Sequence, residues 1–431
     1  MTIPPLRNLL LYFCLILSIS CNDDDDATPE RIITFTAHDN YNSYWVLLSD
    51  DAGKTVAWKE IPNDLKQEFK YSLKEDITVT VISRATNGSS YYLLKTFTHV
   101  ENGDYSLGYA DFPTAPAIVG SFLLNIPNTF SNSYPQSESN CGTSFNNDNT
   151  QMTLSMCENS SNLYLAMYEN DQDTPHYYYD PEIHPGESLT VDNNFYSQAP
   201  LMKSKIITLD KPANATTIVE GNTVQKKQGF LASINFTPFA KTSIPIYYPD
   251  LVGTLFSDFD FGLYYSIEKN VYNWSTKTSK EPADSYPPLD VNFNFSDSTK
   301  VTTETLSFPV MGQAQYIFTA FNYYENNSSA WWYVYTEFSN DVSVQLPSFP
   351  EDLKKVVDLS FIGKLKRSEV SFVENNSTNG YAGFYKKQLS VNRLPTPFDQ
   401  REKIYKFNYG TSIMSGGRLT AKGGNTPFVM D

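Results

Sequence analysis

The chain has little of what enzymes commonly use for chemistry. Its 431 residues include four cysteines and four histidines, the latter being His38, His99, His176 and His184. No G-x-S-x-G, H-E-x-x-H, G-x-G-x-x-G or G-x-x-x-x-G-K-[ST] occurs. Nucleophile elbows, zincin helices, dinucleotide turns and P-loops therefore lack sequence support. A triad drawn from distant residues needs no fixed spacing, but nothing points to one. Basic charge is also short: 32 Lys+Arg stand against 48 Asp+Glu, a formal net charge of −16. Nucleic acid is a poor partner for such a chain, because phosphate binding depends on Lys and Arg. Long apolar runs are missing too. The best, Leu9 to Ile19, would make a helix of roughly 16 Å, about half a bilayer's hydrocarbon thickness.

What precedes and follows that short run gives it a meaning. Arg7 is the only charge before it, and small residues come after it, which is the layout of a secretory signal peptide over residues 1–20. Ser18-Ile19-Ser20-Cys21 resembles a bacterial lipobox. Ser18 stands where leucine is usual, while Ser20 supplies the small residue before the cut. The next five residues, Asn22, Asp23, Asp24, Asp25 and Asp26, resemble the acidic export signal of Bacteroidota surface lipoproteins. The resemblance implies acylation of Cys21, outer-membrane lipid as a partner, and exposure on the cell surface. Buried acyl methylenes contribute about 0.8 kcal/mol each, so a triacylated cysteine holds firmly. Residues 21–29 then read as a linker that like charge keeps solvated and extended.

Cys141 and Cys157 remain once Cys14 and Cys21 are set aside. Two thiols in an oxidising compartment pair. The segment "CGTSFNNDNTQMTLSMC" has a turn sequence, "NNDN", at its middle, so the bridge is expected to tie two strands of a hairpin. Loop entropy makes it worth about 3 kcal/mol.

The fold class expected is all-β, in several tandem β-sandwich units of immunoglobulin- or fibronectin-like architecture. Tyrosine (30) and phenylalanine (28) are abundant and suit strands, while Asn and Ser mark turns. "SYWVLLSDDAGKTVAWKEI" reads as a hairpin about Ser49–Gly53, followed by strands in "DITVTVIS", "YYLLKTFTHV" and "NGDYSLGY". That strand density marks residues 30–113 as one sandwich. Similar runs open at "IVGSFLLNIP", "GFLASINFTPF" and "VVDLSFIGKL". They divide the rest into 114–215 (with the disulfide), 216–346 (rich in aromatics) and 347–431. "PNDLKQEFK" and "PEDLKKVVDL" each read as a two-turn helix with proline near its start. Trp45, Trp58 and Trp274 lie in expected strands and read as core.

Three patterns are candidates for function. "SSAWWYVYTEF" alternates as a strand should, with Trp331, Tyr333 and Tyr335 on one face and Trp332 and Val334 on the other. Either row can stack on sugar rings or anchor a protein, and one row must pack a core. "ENDQDTPHYYYDPEIHPGE" gathers Asp171, Asp173, His176, Asp180, Glu182, His184 and Glu187. Its carboxylates suit Ca²⁺, and His176, Asp180 and His184 would suit a transition metal, but solvated hairpin loops account for the cluster as well. No other cofactor is expected. Asp50/Asp51 and Asp258/Asp260 are carboxylate pairs of the kind glycoside hydrolysis uses. Asp297-Ser298-Thr299 resembles an O-glycosylation site of the same bacteria. The expectation is a non-catalytic surface protein that binds a glycan or an envelope protein. The alternatives are a carbohydrate-active hydrolase and a structural subunit of an outer-membrane assembly.

Overall fold

A computed structural model describes residues 30–38, 42–72, 76–85, 90–108, 117–126, 134–145, 150–168, 174–226, 229–268, 270–294, 301–325, 328–390 and 399–407. The chain is all-β, with only short helices among the described residues. Its centre is a sheet of twelve strands. From one edge these are Gly229–Tyr248, Lys203–Thr223, Phe256–Glu268, Val271–Ser279, Gln400–Lys406, Lys366–Asn375 and Tyr316–Glu325. Ser328–Glu337, Ser90–Val100, Ile77–Ala85, Asn42–Ser49 and Thr55–Ile61 complete it. Ser328–Glu337 and Ser90–Val100 pair in parallel, and the other neighbours in this sheet are antiparallel.

The middle of this sheet is covered on both faces, so its strands carry apolar residues without strict alternation. On one face lies a three-stranded sheet in which Arg31–His38 sits between Lys66–Tyr71 and Gly103–Gly108. Phe35, Phe69 and Tyr105 from that layer share a core with Val46, Leu48, Val79 and Phe97. The helix Gly380–Gln388 extends the cover, placing Tyr381, Phe384 and Tyr385 in the same core. On the other face Phe293, Phe308, Phe349 and Leu353 pack against Leu47, Leu94, Trp332 and Val334.

Residues 117–202 build two sheets of their own. Asn140–Phe145, Gln151–Met156, Gly120–Asn125 and Ser188–Thr190 form one, and His176–Ile183, Ser161–Met167 and Tyr134–Gln136 the other. Phe122, Leu154, Leu163 and Leu165 fill the space between them. Cys141 and Cys157 are bonded at 1.98 Å, across the antiparallel pair Asn140–Phe145/Gln151–Met156. The outer face of the second sheet docks on the long edge strand. The Tyr164 hydroxyl donates to the Ala232 carbonyl at 2.7 Å, and Gln136 exchanges two hydrogen bonds with the Leu231 backbone at 2.7 and 2.8 Å.

Several local expectations meet the structure. The Ser49–Gly53 turn is closed by Asp50, whose carboxylate accepts from the amides of Ala52 and Lys54 at 3.1 and 2.8 Å. Gly53 has φ +74°, and a Cβ there would stand 2.4 Å from the Leu346 carbonyl oxygen, so glycine is required twice over. The helix expected after Phe349 is present as Glu351–Val356. The one expected after Ile61 is not: Asp64 adopts φ 56° and Lys66–Tyr71 is a strand. Its Phe69 and Tyr71 face the core at period two, and that burial outweighs helix propensity. "VVDLSFIGKL" is likewise no strand. It holds a 3-10 turn at Ile362–Lys364, and its Val357, Leu359 and Phe361 plug the lower core. Strand pairing also runs across the breaks expected at 113/114, 215/216 and 346/347: Tyr316–Glu325 is paired with Lys366–Asn375, and Ser328–Glu337 with Ser90–Val100.

Candidate functional site

The hairpin Tyr316–Glu325/Ser328–Glu337 decides which aromatic side chains reach water. Its alternation sends Trp332 and Val334 to the lower core. Trp332 is fully buried there, its Nε1 donating to Thr96 Oγ1 at 2.9 Å, and Thr96 in turn bonds Thr80 Oγ1 at 2.8 Å. Trp331, Tyr333 and Tyr335 point the opposite way, but they do not share one environment. Tyr335 lies beneath the helix Gly380–Gln388, with its ring 5.1 Å from those of both Phe97 and Phe384. The Tyr381 hydroxyl caps its carbonyl at 2.8 Å. Trp332 and Tyr335 are thus core residues, and no ligand surface remains on either. Trp331 and Tyr333 are half-buried, the Tyr333 ring standing 5.2 Å from that of Phe318.

Two further rings join them, neither singled out by the sequence. Tyr324 faces Ser329 in the hairpin register and stands edge-on to Trp331, 5.7 Å between centroids at 87°. Tyr91 faces Ser329 from the other side, through the parallel pairing. Tyr324 is 50% exposed and Tyr91 37%. Trp331 and Tyr333 lie 5.9 Å apart, tilted by only 30°. The phenols converge enough to repel one another as anions. Tyr91 is pushed up to about 12, by burial first and then by Tyr333 and Tyr324. Tyr324 is raised by burial and Tyr333, against a hydrogen bond with Trp331. Near neutral pH this surface therefore offers neutral hydroxyls, each able to donate and accept, around exposed ring faces. The strand that carries Trp331 and Tyr333 is paired on both sides and packed on its opposite face.

The spacing rule could not reach Tyr91 and Tyr324. Tyr91 arrives by pairing with a strand more than two hundred residues away, and Tyr324 sits on the far arm of the hairpin. The only sequence signals were the two "YY" pairs, Tyr91-Tyr92 and Tyr323-Tyr324.

The metal candidates do not assemble. His176 Nδ1 lies 2.7 Å from the Ala199 carbonyl oxygen, with its ring 4.3 Å from that of Tyr196. Asp180 accepts from the Tyr178 hydroxyl at 3.1 Å and the Glu182 amide at 3.0 Å. His184 Nδ1 meets the Asn159 carbonyl at 3.0 Å, the main reason its imidazole is held above the ordinary range. Among the described residues no three His, Cys, Asp or Glu side chains gather as a metal site. Of the carboxylate pairs, Asp50 closes its turn, Asp258 accepts from Asn222 Nδ2 at 2.6 Å and Ser257 Oγ at 2.9 Å, and Asp260 accepts from Thr278. Cys21, Asn22, Asp23, Asp24, Asp25, Asp26, Asp171, Asp173 and Asp297–Thr299 lie outside the described residues.

No protein-family model matches this chain, and no curated protein matches it. Among solved structures, a tetra-tandem repeat from the extending region of a large adhesion protein is 9% identical. That alignment covers 87% of this chain and 98% of the other at a TM-score of 0.11, too low to support any argument.

Proposed function

We propose that the chain is a lipid-anchored protein of a bacterial outer membrane, exposed on the cell surface, whose role is non-catalytic binding or adhesion. Its ligand is a glycan held against Tyr91, Tyr324, Trp331 and Tyr333. The observation that carries this reading is the four-ring cluster itself, open to water on a sheet braced from below. Sugars present C–H edges that lie against π faces, and their hydroxyls need the donors and acceptors that phenols and an indole N–H provide. Pre-ordered rings lose little side-chain freedom on binding. The lipobox-like Cys21 and the acidic run behind it support the anchor and its outward display.

Intact cells producing the protein test both halves with fluorescent neutral oligosaccharides. Wild-type cells should be labelled, and cells carrying Trp331→Ala should not. Cells in which Asp23, Asp24, Asp25 and Asp26 are all replaced by alanine should be labelled only after permeabilisation. Equal labelling of wild type and Trp331→Ala would remove this face from consideration. Labelling of the intact four-alanine cells would remove the export signal.

A further inference from the structure

The face that carries Trp331 and Tyr333 does not stop at the hairpin. Following the register outward, Tyr333 is opposite Ala320, Ala320 opposite Glu369, and Glu369 opposite Lys406. Residues directly opposed on neighbouring strands point to one side, so all four share a face. The next two strands bring a second aromatic cluster to that side. Tyr272 is opposite Ile404 and Trp274 opposite Glu402, and Tyr264 is opposite Trp274. Tyr264 and Tyr272 stack at 5.4 Å and 10°, and Lys406 Nζ sits 4.7 Å from the centre of the Tyr272 ring. Trp274 lies down on Gly262, where a Cβ would come within 2.6 Å of the indole. Glycine there leaves room for a ring flat against the sheet. Tyr264, Tyr272 and Trp274 are each half-buried.

Between the two clusters this face carries Ala320, Asn322, Glu369 and Lys406, with the buried Phe318 and Ile404 to one side of them. Four strand-to-strand steps separate the strands of Tyr333 and Tyr272, and Tyr272 stands two residues along from the row of Tyr333, which puts the two positions roughly 20 Å apart at the usual strand spacing and rise. An extended β-1,4-linked hexose chain advances per unit by a length comparable to one such step. An extended, flat sugar chain laid obliquely across the strands, from Tyr333 past Ala320, Glu369 and Lys406 to Tyr272, would therefore meet rings at both ends and polar groups between them. The charge also selects. Charge on this face is mixed, with Lys95, Lys366 and Lys406 alongside Glu369 and Glu402, while the chain as a whole carries −16. A polyanion is disfavoured.

Resting on the glycan reading above, we infer that the two clusters are the ends of one site for an unbranched, uncharged, β-linked polysaccharide of about five or more units. Binding by both ends makes the second contact intramolecular, so affinity should rise steeply once a chain is long enough to reach.

Calorimetry on the full-length chain in detergent micelles, with cellotriose and cellohexaose, tests this. Cellotriose should occupy the clusters separately, two per chain. Cellohexaose should bind one per chain and at least about tenfold tighter. Trp274→Ala should reduce cellotriose to one per chain and abolish the gain with length. The surviving cellotriose at the Trp331 cluster reports that the variant is folded, and Tyr272→Ala provides a second lesion. Cellohexaose binding two per chain with cellotriose affinity would overturn the bridge but leave the glycan reading intact. A length gain that survives both variants would likewise overturn it. Failure of wild type to bind either sugar would sink the bridge and the proposed β-glycan ligand together.

Discussion

Trp331 and Trp332 are covalent neighbours on opposite sides of a sheet. Trp332 fills the lower core and holds Thr96, so Trp332→Ala should cost about 3–5 kcal/mol. Trp331 packs on Tyr324 and Tyr333 at the surface, and Trp331→Ala should cost less than about 1 kcal/mol. Urea midpoints of the two variants check this, and similar losses would contradict the assignment of faces. The alternation that separates the pair was legible in "SSAWWYVYTEF". Which row faced water was not, because both faces of this sheet are covered over part of its length. Tyr335 has the parity of Trp331 yet lies under a helix contributed from residues 380–388. The other tryptophans show the same limit: Trp45 is buried, but Trp58 and Trp274 are only half-buried. Trp58 Nε1 reaches the surface carboxylate of Asp352 at 3.0 Å.

At the scale of elements, hairpins were the most readable features because their turn chemistry is local. Asp50 and Gly53 mark one, and Cys141 and Cys157 tie another across 16 residues. Replacing both cysteines by serine should lower stability by about 3 kcal/mol through the freed unfolded chain. Hydrogen exchange should quicken in Gln151–Met156 and its neighbours while Ser328–Glu337 is unchanged. Uniform quickening across both sheets would show that the bridge stabilises more than its own unit. Elements were misread where a distant surface decided them. "LKQEFK" has residues that suit a helix, but a core waiting at Phe69 and Tyr71 draws it into a strand. Local chemistry decides the neighbouring case, where the short strand Ser188–Thr190 ends just before a helix. Asp192 then accepts from the Phe195 amide at 2.8 Å and starts the helix Asn193–Gln198.

For the molecule as a whole, the main sheet is assembled from pieces far apart in sequence, and pairing at that distance leaves no local mark in the residues. Among the described residues, the segment 117–202 keeps its two sheets to itself. Lys366–Asn375 and Gln400–Lys406 stand between Val271–Ser279 and Tyr316–Glu325, so they join two halves of the sheet. A chain ending at residue 346 lacks both strands. It should lose cooperative unfolding and become sensitive to limited proteolysis between 203 and 346. A protease-resistant, monodisperse product would mean that the halves fold without their connecting strands. The aromatic face has the same origin: its rings come from strands at 90–100, 256–279 and 316–337, and only the closed sheet lines them up.

Arg31–His38, the first described strand, lies between two partners, with six residue pairs to Lys66–Tyr71 and six to Gly103–Gly108. A tug on the chain at Glu30 enters along the axis of this strand. It must slide past both neighbours together, so the two ladders are strained in shear rather than peeled open one bond after another. For a protein held at its front end, as proposed above, drag would load both ladders of this strand at once.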